Sequence, residues 1–217
     1  MSISNQITQP PYNATFMGVA VGAANHYGLN LTPMEFYCES GFAFALNIAA
    51  DLCPSGPYCW NHESVLENLS QMGLNFKHLP LSYKTSNRND IVEDAVSAAR
   101  EAVLSIEALE HQLVTQANQV ELELSLPWGP DVDACLSKVA IDDLHKDEPP
   151  IFGFYRIDKG NTVNKRMRVL QGLECALQMF TNSDRFQIEG YRFGPSAYQV
   201  WVDALRADEF NAHGHWW

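Results

Sequence analysis

The sequence has no apolar run of about 18 residues, which argues against a transmembrane helix. Its first residues, Met1-Ser-Ile-Ser-Asn-Gln, hold neither the basic segment nor the apolar core of a signal peptide. A cytoplasmic protein is therefore expected. Positive charge is scarce: 14 Lys and Arg stand against 26 Asp and Glu, a formal net charge of -12. A field of that sign repels phosphate backbones and anionic lipid surfaces, so neither a nucleic acid nor a membrane is expected as a partner. Neither Gly-x-Gly-x-x-Gly nor Gly-x-x-x-x-Gly-Lys occurs, which argues against the nucleotide-binding folds. The five cysteines are an odd number without an export signal and read as reduced thiols. Cys53 and Cys59 flank two prolines and do not have the Cys-x-x-Cys spacing of zinc or thioredoxin-like sites, so no metal or other cofactor is expected. There is no internal repeat and no low-complexity tract.

What is present is enough apolar material for a sizeable core: 217 residues, 46% of them apolar and 11% aromatic. Residues 1–13 read as a polar arm, because Pro10-Pro11 forbids a helix start and nothing alternates. Thr15 is placed to cap a helix running from Phe16 to about Tyr27, lined with small residues and stopped by Gly28. Thr32-Pro33-Met34-Glu35 is a capping box that opens a short helix ended by Gly41. Phe42 to Ile48 alternates large and small residues and predicts a strand. Asn61 to Ser64 starts a helix ending before Gly73, and Leu74 to Tyr83 reads as extended. Between Asp90 and Ala117 the apolar positions recur at three and four, which predicts one long amphipathic helix or two in sequence. Val120 to Leu126 alternates as a strand, and Asp131 to Leu144 reads as helical. The charged stretch His145 to Pro150 is the best linker. Ile151 to Ile157 reads as a strand with a turn at Lys159-Gly160-Asn161, Val163 to Phe180 as a helix, and Gly194-Pro195-Ser196 as the start of another that carries Tyr198, Trp201, Val202 and Leu205 on one face. Helices first and strands later predict an α+β fold.

Two segments carry a family resemblance. The first is Thr15-Phe-Met-Gly through Asn25-His-Tyr-Gly, followed by Ser40-Gly-Phe-Ala-Phe and Leu52-Cys-Pro-Ser-Gly-Pro-Tyr. The second is Gly194-Pro-Ser-Ala-Tyr-Gln-Val-Trp-Val-Asp-Ala-Leu with the closing His213-Gly-His-Trp-Trp. Together they resemble bacterial proteins related to the N-terminal domain of the butirosin biosynthesis protein H, a papain-like (cysteine-peptidase-like) group. The resemblance implies a single papain-like α+β domain over residues 14–217, with helices packed on a small, mostly antiparallel sheet. It also implies a cysteine nucleophile at the start of the first helix, a histidine from the later sheet, and acyl transfer from an acyl carrier protein to a small molecule. In that group the chain continues past the position of Trp217 into another helix, so truncation at the C-terminus is expected. The nucleophile position falls at Thr15, and Ala14 to Tyr27 contains no cysteine. The strand Ile151 to Ile157 contains no histidine.

The candidate residues follow from these two readings. Most are concentrated between Tyr37 and Glu63, where glycine, proline and serine turns hold polar and aromatic side chains. Cys38 is the candidate relocated nucleophile, with His62 as its base and Glu63 orienting the imidazole; Thr15 is the remaining hydroxyl candidate. Ser40, Gly41, Phe42, Phe44 and Trp60 are candidate ligand-binding residues, joined by His215 and Trp216 of the C-terminus. The function expected first is binding or processing of a small acyl- or amide-bearing metabolite by a degenerate relative. The second is an active acyltransferase or amidohydrolase using Cys38. The third is a non-catalytic subunit that forms a homodimer through its Trp-rich end.

Overall fold

The helix of small residues at Thr15–His26 sinks into the protein, burying every position from Thr15 to Ala24. A computed structural model describes residues 3–4, 7–53, 55–79, 96–107, 110–128, 136–145 and 153–207. In chain order the elements are β1 (Ile3–Ser4), α1 (Thr15–His26), α2 (Pro33–Ser40), β2 (Asn47–Ala49), α3 (Glu63–Gln71), β3 (Met72–Leu79), α4 (helical residues 96–101), β4 (Val103–Glu107), β5 (His111–Ala117), β6 (Glu121–Leu124), β7 (Lys138–Ala140), β8 (Gly153–Thr162), α5 (Lys165–Thr181), β9 (Tyr191–Phe193) and α6 (Pro195–Ala207). The fold is α+β, with helices on antiparallel sheets. The chain divides into two compact units, each assembled from two stretches: Met1–Pro33 with Leu69–Thr162, and Met34–Asn68 with Val163–Trp217.

The first unit is built on a sheet ordered β3-β8-β4-β5-β6-β7, with β1 added to β5. One face carries the core formed by Leu104, Ile106, Val114, Leu122 and Phe154 under Val96, Ala98 and Ala99 of α4. Because neighbouring strand residues point to opposite faces, Leu113 lies on the other face, where α1 crosses and Gly22 allows the close approach. Both ends of α1 are pinned. At its C-terminal end Tyr27 donates its hydroxyl to the Ile157 carbonyl (2.7 Å) and accepts the Val103 N–H (3.0 Å). Lys159 reaches the Tyr27 carbonyl at 2.8 Å, a cation at the negative end of the helix. At the other end Gln9 donates to the carbonyls of His111 (2.9 Å) and Thr15 (3.3 Å), and accepts from the Leu113 N–H (3.0 Å) and the Ser125 hydroxyl (2.5 Å). With Ile7 buried, the residues before α1 are stitched to β5.

The second unit packs α5 against the end of α2. Gly172 faces the backbone of Cys38 and Glu39, and a Cβ there would lie against the Cys38 carbonyl oxygen and 3.0 Å from the Glu39 Cα. Gly172→Ala gains about 1 kcal/mol of helix propensity but overpacks against backbone that cannot step aside, at about 1–3 kcal/mol or more. A lower urea midpoint is expected, and an unchanged or higher one would contradict this packing. Nearby, the Arg168 Nε donates to a Glu39 carboxylate oxygen at 2.6 Å and its Nη1 to the Val163 carbonyl at 2.7 Å, with both side chains buried. β2 and β9 pair antiparallel, Asn47 opposite Phe193.

Several sequence expectations are corrected. The long helix over Asp90 to Ala117 is helical at residues 96–101 but then turns into the β4–β5 hairpin. Val103 to Ile106 are all buried because both faces of β4 are covered, so the strand lacks alternation and its apolar spacing imitates a helix. Phe42 to Phe44 is a 3-10 turn launched by Gly41 in the left-handed region (φ 87°), and the strand begins only at Asn47. Within Asp131 to Leu144 the described residues hold β7 and a 3-10 turn at Ile141–His145; residues 131–135 lie outside the described ones. The expected turn at Lys159-Gly160-Asn161 is part of β8, held extended by pairing with β3. Thr15 is not the cap of α1: that position is Ala14, with no side-chain cap bond.

Candidate functional site

The stretch from Tyr37 to Glu63 folds as part of the second unit. Ser40 is buried and serves the local turn: its hydroxyl donates to the Tyr37 carbonyl (3.3 Å) and accepts the Phe42 N–H (3.2 Å), while its carbonyl accepts from Asn68 (3.0 Å). Gly41 is required twice, for its left-handed backbone and because a Cβ would lie 2.7 Å from the Cys175 sulfur. Phe42, Trp60 and His62 do come together. The imidazole lies 4.0 Å from the Trp60 ring and is stacked on Phe42 at 6.3 Å. Trp60 continues to Phe193 (5.2 Å), which stacks on Phe186 (5.2 Å), so this aromatic file runs into the core. Trp60 also donates its indole N–H to the Pro57 carbonyl (3.0 Å). Phe44 is half-buried on the same turn as Phe42, and Glu63 is exposed, its N–H donated to the Asn61 side chain just ahead of α3 (3.0 Å).

The thiols divide by environment. Cys38 is exposed on α2, while Cys175 is buried and its thiol is pushed up to about 11 by that burial. Cys53 accepts the Ser55 hydroxyl at 3.1 Å, and Ser55 meets the Tyr191 hydroxyl at 3.0 Å. His215 and Trp216 lie outside the described residues, as does Cys135. Among the described residues no group of three or more His, Cys, Asp and Glu side chains is arranged to hold a metal ion.

The structure assembles a second constellation in the first unit, at the N-terminus of α1. Thr15, in the first turn, donates its hydroxyl to the Glu110 carboxylate at 2.6 Å and accepts the His111 N–H at 3.2 Å. The first turn of α1 has no acidic residue of its own, and Glu110 supplies a negative charge near the positive end of the helix. His111 opens β5. Its ring lies between Phe16 (5.3 Å) and Tyr155 (6.4 Å), and its Nε2 is 4.0 Å from Glu107. The side chain is only 12% exposed, and burial lowers its pKa to about 4, so the imidazole is neutral at pH 7. Its Nδ1 is buried without a hydrogen-bond partner among the described residues, as is the hydroxyl of Ser105 on the same sheet face. Across the sheet, His78 meets Tyr155 at 5.2 Å, with Gly153 leaving room for the ring.

Burial also shifts the surrounding groups toward their uncharged forms. It raises the carboxyl of Glu107, against the opposing charge of His78, and the carboxyl of Glu110, against the hydrogen bond from Thr15. It also pushes Tyr155 up to about 12, with the Glu107 charge adding to the effect. A neutral imidazole, its Nδ1 unpartnered among the described residues, and a hydroxyl held by Glu110 thus stand beside the rings of Phe16, Phe76 and Tyr155, where an uncharged polar group can meet the imidazole without bringing a further charge into buried surroundings. His111, Glu110, Glu107 and Gln9 were missed in the sequence because they sit in or beside segments read as a helix or as an arm. No family model, no curated protein and no solved structure matches the chain.

Proposed function

We propose that this protein is a papain-like relative that binds or processes a small acyl- or amide-bearing metabolite at the N-terminus of α1, with a hydroxyl where the family's thiol would stand. The observation that carries this reading is the position of Thr15: first turn of the first helix, hydrogen-bonded to Glu110 and to the backbone of His111, whose neutral imidazole lies in the same constellation. An amide suits such a site, because it can donate to or accept from the imidazole nitrogen left unpartnered among the described residues without burying a charge. A threonine hydroxyl is a weak nucleophile, which favours binding over turnover. An acyl carrier protein belongs only to a reading with turnover.

Restoring the thiol tests this reading. In Thr15→Cys with Glu110→Gln, the introduced cysteine gains a helix N-terminus and a nearby imidazole and no longer faces a carboxylate. Because position 15 is buried, the readout is the ultraviolet absorbance of the thiolate, taken as the difference from wild type, which is expected to appear at least about one pH unit lower than in the same protein carrying His111→Gln as well. A thiolate that forms at the same pH with and without His111 would remove the support for a papain-like site. Mass addition at Thr15 of the native protein after exposure to an activated ester would favour turnover instead.

A further inference from the structure

Both long helices of the second unit carry their apolar side outward. On α5 the buried positions are Arg168, Gly172, Cys175 and Met179, while Met167, Val169, Leu170, Leu173, Leu177 and Phe180 are each 39–55% exposed. At 3.6 residues per turn these six occupy an arc about 160° wide on the side away from the buried set. α6 repeats the pattern: Ala197 and Ala204 are buried, and Tyr198, Trp201, Val202 and Leu205 are 39–58% exposed. A helix of a globular protein ordinarily turns its apolar stripe to the core, so this inversion implies a partner for the stripe.

We propose that the apolar faces of α5 and α6 form the interface between two copies of this chain. The area is sufficient. Counted over both helices, ten large side chains, each about half exposed, amount to roughly 800 Å² per copy, the share that one partner brings to an interface of standard size. The charges also complement one another. Exposed Arg166 lies at the start of the α5 stripe and exposed Asp184 just beyond its end. Antiparallel pairing of α5 with its copy about the level of position 175 sets Arg166 of each chain toward Asp184 of the other, satisfying both ends at once as two-fold symmetry requires. It also opposes the two helix dipoles favourably.

Light scattering on the full chain eluting from a sizing column at about 1–100 µM tests the interface. The expected mass at the upper end is twice the 24.3 kDa of the chain. Leu173→Glu with Leu177→Glu is expected to weaken association at least 100-fold with an unchanged far-UV spectrum, since both positions already meet water. Arg166→Glu is expected to weaken association about tenfold, and adding Asp184→Arg to restore it, which holds the test open even if the leucine variant misfolds. A wild-type monomer at 100 µM, a dimer indifferent to the leucine substitutions, or co-sedimentation with phosphatidylcholine vesicles that those substitutions abolish would each overturn the proposal.

Discussion

Arg168→Ala is expected to destabilise the protein by about 3–5 kcal/mol, the usual cost of leaving one member of a buried ion pair without the other. The guanidinium of Arg168 is the partner of Glu39 at 2.6 Å, and the second Glu39 carboxylate oxygen is buried with no other hydrogen bond among the described residues. Removing Arg168 therefore strands a charge and also releases the Val163 carbonyl. Arg168→Lys is expected to recover only part of the loss, because an ammonium cannot reach a carboxylate and a carbonyl with the same planar fork. Glu39→Leu with Arg168→Met removes both charges and is expected to be far less damaging than either single truncation. With urea slopes of about 1–3 kcal/mol per molar, the single variant shifts the midpoint by more than about 1 M. A shift within error for Arg168→Ala, or a double variant worse than both singles, would show that the pair is not a buried electrostatic unit.

The second large effect is a loss of stability in acid that belongs to one imidazole. His111 has a folded-state pKa of about 4 against an ordinary 6.5. Above pH 6.5 the ring is neutral in both states and contributes nothing. Below that the unfolded chain takes up a proton that the folded chain refuses, and stability falls until pH 4, a loss of about 3 kcal/mol in all. Glu107 and Glu110 act in the opposite sense: their raised values add stability that is present in acid and is lost as pH rises through the folded values. His111→Gln isolates the imidazole. The stability difference between wild type and this variant is expected to move by about 3 kcal/mol between pH 6.5 and 4, to the disadvantage of wild type. Parallel stability curves across that window would mean that the ring is solvated.

The fold was legible where local chemistry decided it. The small residues of α1 announced a buried helix, the capping box at Thr32 opened α2, and Phe42, Trp60 and His62 do meet. The stripe at Tyr198, Trp201, Val202 and Leu205 was readable as one helix face, but periodicity reveals only that a face exists, and its exposure is set by what covers it. Reading failed where both faces of an element are buried. The apolar positions of β4 and β5 kept a helical spacing, and the hairpin that presents His111 disappeared into a helix. It failed also for partners far apart in sequence: Thr15 with Glu110 and Glu39 with Arg168 join residues 95 and 129 positions apart. Nothing local in a threonine before Phe-Met-Gly distinguishes a helix cap from a hydroxyl aimed at a distant carboxylate.

Tyr27 closes α1 onto a strand residue 130 positions later. On a ribosome adding about 5–20 residues per second, roughly 6–26 s separate the two. For that interval an apolar helix exists before the sheet that will bury it, and a loop of that length must then close before any of its contacts count. Nascent chains arrested short of Thr162 should therefore bind chaperones and be cut readily by proteases, and resistance should arrive abruptly once β8 is free of the exit tunnel.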